Sequence, residues 1–271
     1  MSNKVDEILR GSFDLHLHTL PSPNDDLRMD ALDTGRHAQE AEMAGFVLKS
    51  HFYPTTPVAQ LVSRVYPGLR VAGSIVLNNE VGGLNSAAVQ AAADIGARVV
   101  WMPARSAATS EKPGLRLTSE AGTLLPEVTA ALEIVRDADM VLASGHASPD
   151  DTLALLAAAR DIGVARTMVT HPVGTANDAQ IREMAALGAY IEHTFLPCMP
   201  SRQMTTPSQM AASIHEIGVD RCIVTTDFGQ WMNPSPAEGM RMAIAELLNA
   251  GMSDDEVTTL VKNNPLGLIG P

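Results

Sequence analysis

The chain has 271 residues, 45% of them hydrophobic, and a formal net charge of −12. This length can bury a sizeable core, and an acidic chain without a basic cluster is not expected to bind nucleic acid or an anionic membrane surface. No apolar run reaches the roughly 18 residues of a transmembrane helix, and the polar first residues are unlike a signal peptide, so we expect a cytoplasmic protein.

Short apolar runs alternate along the chain with longer stretches of helical periodicity. Continuous apolar runs bounded by Gly, Pro or Asp are typical of strands in a buried parallel sheet. The sequence predicts eight strands, at 13–19, 45–52, 69–78, 97–104, 140–147, 165–172, 189–195 and 221–229. It predicts helices at 30–45, 85–97, 148–164, 177–189, 206–219, 235–251 and 253–265. The third of these has Ser148 as its N-cap and Pro149 at its first position.

Eight strands that alternate with helices in 271 residues match the repeat number of a (β/α)₈ barrel. The alternative is a doubly wound open sheet, but no glycine-rich phosphate loop follows the first strand. We therefore predict an α/β fold, a single (β/α)₈ TIM-barrel domain over residues 1–271, with its site at the C-terminal ends of the strands. The longest irregular segment, 106–119, follows the fourth strand and would be a lid or substrate loop.

The positions of the histidines indicate where the chemistry lies. His37 and His215 fall inside predicted helices and are expected to be surface or packing residues. The other six fall at the C-terminal ends of predicted strands: His16, His18, His51, His146, His171 and His193. In a barrel those ends share one face, which is where active sites are built.

Side chains alternate across a strand, so Asp14, His16 and His18 share one face. Lys49 and His51 share a face of the second strand in the same way. Burying such groups without partners is costly, and a metal ion is one way to satisfy them. The alternative is a set of hydrogen-bonded core histidines. Asp227 ends the eighth strand, where its carboxylate would bind a metal and accept a proton.

Ligands that are nitrogen and oxygen atoms, without thiolates, favour Zn²⁺, with Mn²⁺, Fe²⁺ or Co²⁺ as alternatives. The whole pattern resembles the amidohydrolase superfamily of metal-dependent hydrolases. That superfamily carries HxH on strand 1, a His after each of strands 5 and 6, and an Asp after strand 8. These positions correspond to His16 and His18 in "DLHLH", His146 in "SGHAS", His171 in "VTHPVG" and Asp227 in "TTDFG".

The resemblance implies one or two metal ions, and strand 4 lacks the Lys or Glu that bridges two ions in many members. Lys49 is one substitute, as a carboxylated ligand, or else an ion-pair partner of Asp14 or Asp227. Glu80, after the third strand, is a second substitute, or else a loop carboxylate. His51 and His193 lie outside the standard set. The short chain leaves no room for the flanking β-sandwich of many members.

The function that this resemblance implies is hydrolysis of an amide, lactone or ester carbonyl of a small molecule by metal-activated water. Asp227 would be the proton shuttle, His193 or a second metal would polarise the carbonyl, and His51 and Arg105 would bind substrate, Arg105 through an anionic group. A metal-dependent decarboxylase of the same superfamily and a phosphoesterase are the alternatives. Barrels of this kind often form homo-oligomers.

Overall fold

A computed structural model describes residues 2–23, 26–109 and 112–271. The described residues form nine strands, all of them short: β1 (Phe13–His18), β2 (Gly45–Lys49), β3 (Arg70–Ala72), β4 (Ser74–Val76), β5 (Val99–Trp101), β6 (Val141–Ala143), β7 (Thr167–Val169), β8 (Tyr190–Thr194) and β9 (Cys222–Thr225). Each predicted strand is present. The third is split into β3 and β4 at Gly73, where a Cβ atom would lie 2.2 Å from Thr56 Cα.

Helices alternate with these strands: α1 (Ser2–Leu9), α2 (Ala31–Glu40), α3 (Thr56–Val65), α4 (Ser86–Asp94), α5 (Pro126–Asp137), α6 (Pro149–Ile162), α7 (Asp178–Ala186), α8 (Pro207–Ile217), α9 (Pro236–Asn249), α10 (Asp254–Thr258) and α11 (Asn264–Ile269). The predicted N-cap of α6 is confirmed, since Ser148 accepts a hydrogen bond from Asp151 N at 3.1 Å. None of the described helices is both long and apolar enough to cross a membrane.

Three helices, α1, α3 and α5, were absent from the prediction, which assigned those segments no element. The predicted helix over 30–45 was too long, because α2 ends at Glu40 and Gly45 already begins β2. The predicted loop over 106–119 follows β5. Within it, Ser110 and Glu111 lie outside the described residues, and Leu117 and Thr118 are held against Asp151 of α6.

The contacts divide the chain into two units. The first takes in residues 1–49, 57–72 and 193–271. Its strands β1, β2 and β3 pair in parallel, and the register sets His18 of β1 beside Lys49 of β2. The segment after β9 joins β1, because His18 N donates to Phe228 O at 2.7 Å.

The second unit takes in residues 50–56 and 73–192. Strands β4, β5, β6 and β7 pair in parallel in chain order, followed by the start of β8. A buried cluster packs these strands against α4, α5 and α6, with Ile75, Val100 and Leu142 from the strands and Val89 and Leu132 from the helices. Parallel strands buried on both faces explain why the strands read as continuous apolar runs.

Candidate metal centre

Strand β1 carries the first two candidate ligands. His16 and His18 are two residues apart and therefore point to the same side of the strand. Both are buried, with 1% and 8% of their surface exposed, and their ring centroids lie 5.3 Å apart. The strand is buried along its whole length, so these two imidazoles require polar partners inside the protein.

Asp227 provides the partner for both rings. Its Oδ1 lies 3.1 Å from His16 Nε2 and 3.2 Å from His18 Nε2. One ligand atom from each of the three residues lies within 4.8 Å of the other two, which is a spacing that could hold one metal ion. The backbone N–H of Asp227 donates to His16 O at 2.8 Å, so the carboxylate is anchored to the strand that carries the histidines.

The tautomer of His18 follows from its second ring nitrogen. Nδ1 lies 3.1 Å from the carbonyl oxygen of Lys49, and a carbonyl oxygen only accepts hydrogen bonds. Nδ1 of His18 is therefore the protonated nitrogen. In the neutral ring, Nε2 then presents a lone pair toward the carboxylate oxygen of Asp227. Two acceptors at this distance require either a proton on Nε2 or a metal ion between them, and a backbone carbonyl on the other nitrogen is a common arrangement for metal-binding histidines.

Lys49, on the neighbouring strand β2, contacts the first of the candidate ligands. Its side chain is 2% exposed, and its Nζ lies 2.9 Å from His16 Nε2. Parallel pairing of β1 and β2 in this register brings the lysine to the same end as the histidines. The structure therefore brings Lys49, His16, His18 and Asp227 together.

Burial and charge shift the pKa values of these acids and bases. Burial lowers the pKa of His18, and the nearby Asp227 carboxylate opposes this effect only in part. Burial alone would raise the pKa of Asp227, but His16 and His18 hold it well below its ordinary value. Burial raises the pKa of Asp14 to about 7, against the opposing effect of the hydrogen bonds that its carboxylate accepts from Thr226 and His16.

A second pair of histidines lies in the second unit, after β6 and β7. The ring centroids of His146 and His171 are 5.0 Å apart. His146 is exposed and His171 is half-buried. The backbone N–H of His171 donates to the Glu192 carboxylate at 3.2 Å, and Glu192 is fully buried in β8.

The predicted substrate-binding residues also lie in the second unit. The buried amide of Asn78 donates to the backbone oxygen of His51 at 3.1 Å and lies 3.4 Å from its Nδ1. The guanidinium of Arg105 lies 5.4 Å from the centre of the Phe52 ring, in a cation–π contact. Glu80 is exposed in a short 3₁₀ turn, Asn79–Val81, and this exposure gives no support to a role as a bridging ligand.

His193 follows Glu192 in β8 and points to the other side of the strand. Its Nε2 lies 3.1 Å from the hydroxyl of Ser213 on α8. The predicted role of His193 in polarising a carbonyl therefore stays a prediction, and it gains no support from this contact.

Two buried polar residues near these groups were missing from the sequence prediction. Glu192 sits beside His193 in "AYIEHTF", and a charged residue in a buried strand was a usable signal. Asn78 ends the third predicted strand. Its Oδ1 accepts from the backbone N–H groups of Ala104 and Ser106, so it fixes the chain that leads to Arg105.

A family model described as a family of unknown function, DUF6282, matches residues 11–192. That span includes β1 and the segment through Glu192, and it ends before Asp227. No curated protein matches the chain significantly in sequence.

Solved structures of three bacterial proteins resemble the chain over nearly its whole length. The probable dipeptidase PvdM from Pseudomonas aeruginosa has a TM-score of 0.72 at 14% identity, covering 99% of this chain and 97% of that chain. The phosphotriesterase homology protein from Escherichia coli, complexed with phosphate in its active site, has a TM-score of 0.71 at 15% identity, covering 96% and 99%. An amidohydrolase from Pseudomonas aeruginosa has a TM-score of 0.70 at 10% identity, covering 99% and 97%.

Likeness at these identities establishes the fold. The prediction of an α/β fold is therefore confirmed, and the fold is shared with these three structures.

Proposed function

The chain belongs to the DUF6282 family, and we propose that it is a metal-dependent hydrolase that cleaves an amide, lactone or ester bond of a small molecule. The support is a buried group of ligand atoms on a fold shared with an amidohydrolase, a probable dipeptidase and a phosphotriesterase homology protein.

The observation that carries the proposal is the meeting of His16 Nε2, His18 Nε2 and Asp227 Oδ1. Because the Lys49 carbonyl fixes the proton of His18 on Nδ1, a neutral His18 directs a lone pair at a carboxylate oxygen 3.2 Å away. A hydrogen-bonded core histidine would direct a donor there. The donor set of two imidazoles and one carboxylate suits Zn²⁺, and also Mn²⁺, Fe²⁺ or Co²⁺.

When bound, the ion would polarise the substrate and make a water molecule more acidic. His16, His18 and Asp227 would hold it, and a ligand role for His146 and His171 stays a prediction. Asp227 is also the residue that would accept a proton at its carboxylate and return it to the leaving group. Lys49 would contribute through its amine or a carboxylated form, and the roles of His193 and Glu80 stay predictions.

We propose that Arg105 binds an anionic group of the substrate and that His51 orients it. Asn78 supports both positions, since its amide donates to the His51 backbone oxygen and its Oδ1 accepts the backbone N–H of Ser106. We further expect a small-molecule substrate rather than a macromolecule, a cytoplasmic location and association into a homo-oligomer.

The test begins with metal content. The chain is purified from metal-replete culture, and metal per chain is measured for the natural protein, for the His16→Ala/His18→Ala double variant and for His215→Ala. His215 is an exposed histidine paired with Glu256, so it is the matched control. We expect stoichiometric metal in the natural protein and His215→Ala, and loss of metal in the double variant.

The second part measures turnover on a panel of amides, lactones, esters and phosphotriesters, together with release of CO₂ from carboxylic acids. Hydrolysis of a carbonyl substrate that chelation abolishes and metal restores is the expected result. A natural protein without bound metal would overturn the proposal, and CO₂ release without hydrolysis would replace it with decarboxylation.

A further inference from the structure

Asp14 is a buried carboxylate that contacts the backbone of a candidate ligand without being one of the candidate ligands. It has no exposed surface and lies two residues before His16 in β1, in the part of the strand where the pairing with β2 is irregular. Its Oδ1 accepts the backbone N–H of His16 at 3.1 Å and that of Thr226 at 3.2 Å. Its Oδ2 accepts the hydroxyl of Thr226 at 2.5 Å.

Thr226 links Asp14 to Phe228, the residue that follows Asp227. Its hydroxyl oxygen, while donating to Asp14, accepts the backbone N–H of Phe228 at 3.1 Å. The residues on both sides of Asp227 therefore belong to one hydrogen-bonded group. The hydrogen bonds between Thr226 and Asp14 connect this group to β1, the strand that carries His16 and His18.

Asp227 needs such a support because of its backbone. Its φ is +55°, in the left-handed region that non-glycine residues rarely adopt. A conformation of this kind persists only when the surroundings determine it, and such residues are concentrated at functional sites. The hydrogen bonds of Thr226 with Asp14 and with Phe228 supply that determination on either side of the residue.

We propose that Asp14 and Thr226 are positioning residues for the metal ligands, which fix the Asp227 carboxylate in its place against His16 and His18. This inference rests on the proposed function, because it assumes that these three side chains hold a metal ion. Neither Asp14 nor Thr226 is one of the proposed ligands. They act through the backbone of the ligands.

The chain contains a matched pair for comparison. Asp151 of α6 is also buried, with 4% exposed surface. Its Oδ1 accepts the hydroxyl of Thr118 at 2.5 Å and its Oδ2 accepts the backbone N–H of Leu117 at 3.2 Å. The hydrogen bond from a threonine hydroxyl to a buried carboxylate is the same, and Asp151 also lies 3.7 Å from the exposed Arg116 guanidinium. Its partners are in a loop that holds no candidate metal ligand. Loss of the Asp151 contact should therefore affect folding alone.

The experiment uses the full chain, stripped of metal and titrated with Co²⁺, whose visible absorption spectrum depends on the geometry of its ligands. The variants are Thr226→Val, Thr226→Ser, Asp14→Ala, Asp14→Asn and the control Asp151→Ala. Affinity, the spectrum at saturation and the thermal midpoint are measured for each. None of these readouts requires a substrate.

We expect Thr226→Val to weaken Co²⁺ binding by about 10- to 100-fold, the usual effect of removing a group that orients a metal ligand, and to change the spectrum at saturation. Thr226→Ser, which keeps the hydroxyl, should restore both. Asp14→Asn should lie between the natural protein and Asp14→Ala, because its amide oxygen still accepts the two backbone N–H groups. Asp151→Ala should lower the thermal midpoint and leave affinity and spectrum unchanged.

The proposal is overturned if Thr226→Val binds Co²⁺ with the natural affinity and spectrum, or if the thermal midpoint falls while the spectrum at saturation is unchanged. Should Asp14→Ala fail to fold, the Thr226→Val and Thr226→Ser pair still decides. A natural protein that binds no ion overturns the proposed function together with this role. A natural protein that binds the ion normally, beside a Thr226→Val variant that does the same, overturns the positioning role alone.

Discussion

Lys49 Nζ and His16 Nε2 lie 2.9 Å apart in a part of the protein from which solvent is excluded. One of these two nitrogens must present a lone pair to the other, because two donors or two acceptors would repel at this distance. The lysine side chain and the first metal-ligand candidate are therefore coupled. Replacing either changes the hydrogen bonding of the other.

Replacement of Lys49 by Met tests this coupling, since Met fills a similar volume without a charge or a donor. If Lys49 takes part in metal binding, Lys49→Met should bind metal about 10- to 100-fold more weakly than the natural protein. Metal titration of the stripped protein measures this, and intact mass under native conditions reports a carboxylated lysine. Lys4→Met is the control, because Lys4 is exposed and paired with Asp254. Equal metal affinity in all three proteins would exclude the role of Lys49.

Replacement of Asp227 by Asn tests the proton shuttle. Asn tolerates a left-handed backbone as Asp does, so the variant should fold. It keeps one oxygen that can bind a metal but loses the group that accepts a proton. We expect turnover of a carbonyl substrate to fall by about 10²- to 10⁴-fold while metal remains bound. Asp137→Asn, at an exposed position on α5, should have natural turnover. Undiminished hydrolysis in Asp227→Asn would end the shuttle assignment.

Gly229 is a close-approach position next to the candidate metal centre. A Cβ atom there would lie 2.3 Å from His18 O, so Gly229→Ala must displace the backbone of His18. We expect a loss of about 1–3 kcal/mol in the free energy of unfolding, as for other overpacked sites, and weaker metal binding.

Gly45→Ala is the control for that prediction. Its Cβ atom would lie 1.8 Å from Arg70 O at the start of β2, at the opposite end of the strand from Lys49. Chemical denaturation should show a similar loss of stability, with metal affinity unchanged. Equal loss of metal affinity in both variants would mean that general destabilisation, and not displacement of His18, is responsible.

Arg166 and Asp139 give a prediction for the pH dependence of stability. Arg166 Nε and Nη2 donate to the two carboxylate oxygens of Asp139 at 2.9 and 3.0 Å, and this hydrogen bonding lowers the pKa of Asp139 below its ordinary 3.8. A lowered pKa in the folded state stabilises the protein above pH of about 4, and the effect is lost as the pH falls through the folded-state pKa.

The natural protein should therefore exceed Arg166→Gln in unfolding free energy by about 0.2–1 kcal/mol at neutral pH, since the pair is at the surface. The difference should shrink as the pH falls below about 4. Denaturation curves at several pH values measure it. Arg160→Gln, which removes a looser exposed pair with Asp161, should show no such trend. A difference that is constant with pH would contradict the assignment to the Asp139 charge.

The strands could be predicted from the sequence because burial on both faces leaves a continuous apolar run at each of them. The helices that were missed are amphipathic, so their periodicity is present in the sequence and only their position in the chain obscured it. The first turn of α1 lies in a polar segment, and α3 begins at Thr56 directly after an irregular stretch. The division of the third strand at Gly73 depends on the close approach of Thr56, which is seventeen positions earlier and invisible to local periodicity.

The candidate ligands could be predicted because strand parity and strand ends determine which side chains share a face. His16, His18, Lys49 and Asp227 were identified in this way, and the structure brings them together. The contact of His193 with Ser213 could not be predicted, because the presence of a histidine at a strand end does not show which side of the strand its side chain faces. Strand parity shows only that Glu192 and His193 face opposite sides of β8.

The two candidate ligand histidines differ in how far their contacts depend on the residue at position 49. His18 is oriented by the carbonyl oxygen of Lys49, a main-chain atom that every amino acid at position 49 would supply. His16 meets the Lys49 side chain, which a single codon change can remove. Substitution of Lys49 would therefore leave the hydrogen bond of His18 Nδ1 in place and remove the side-chain partner of His16 Nε2. The two histidines of the HxH motif thus differ in their sensitivity to mutation of the same neighbour.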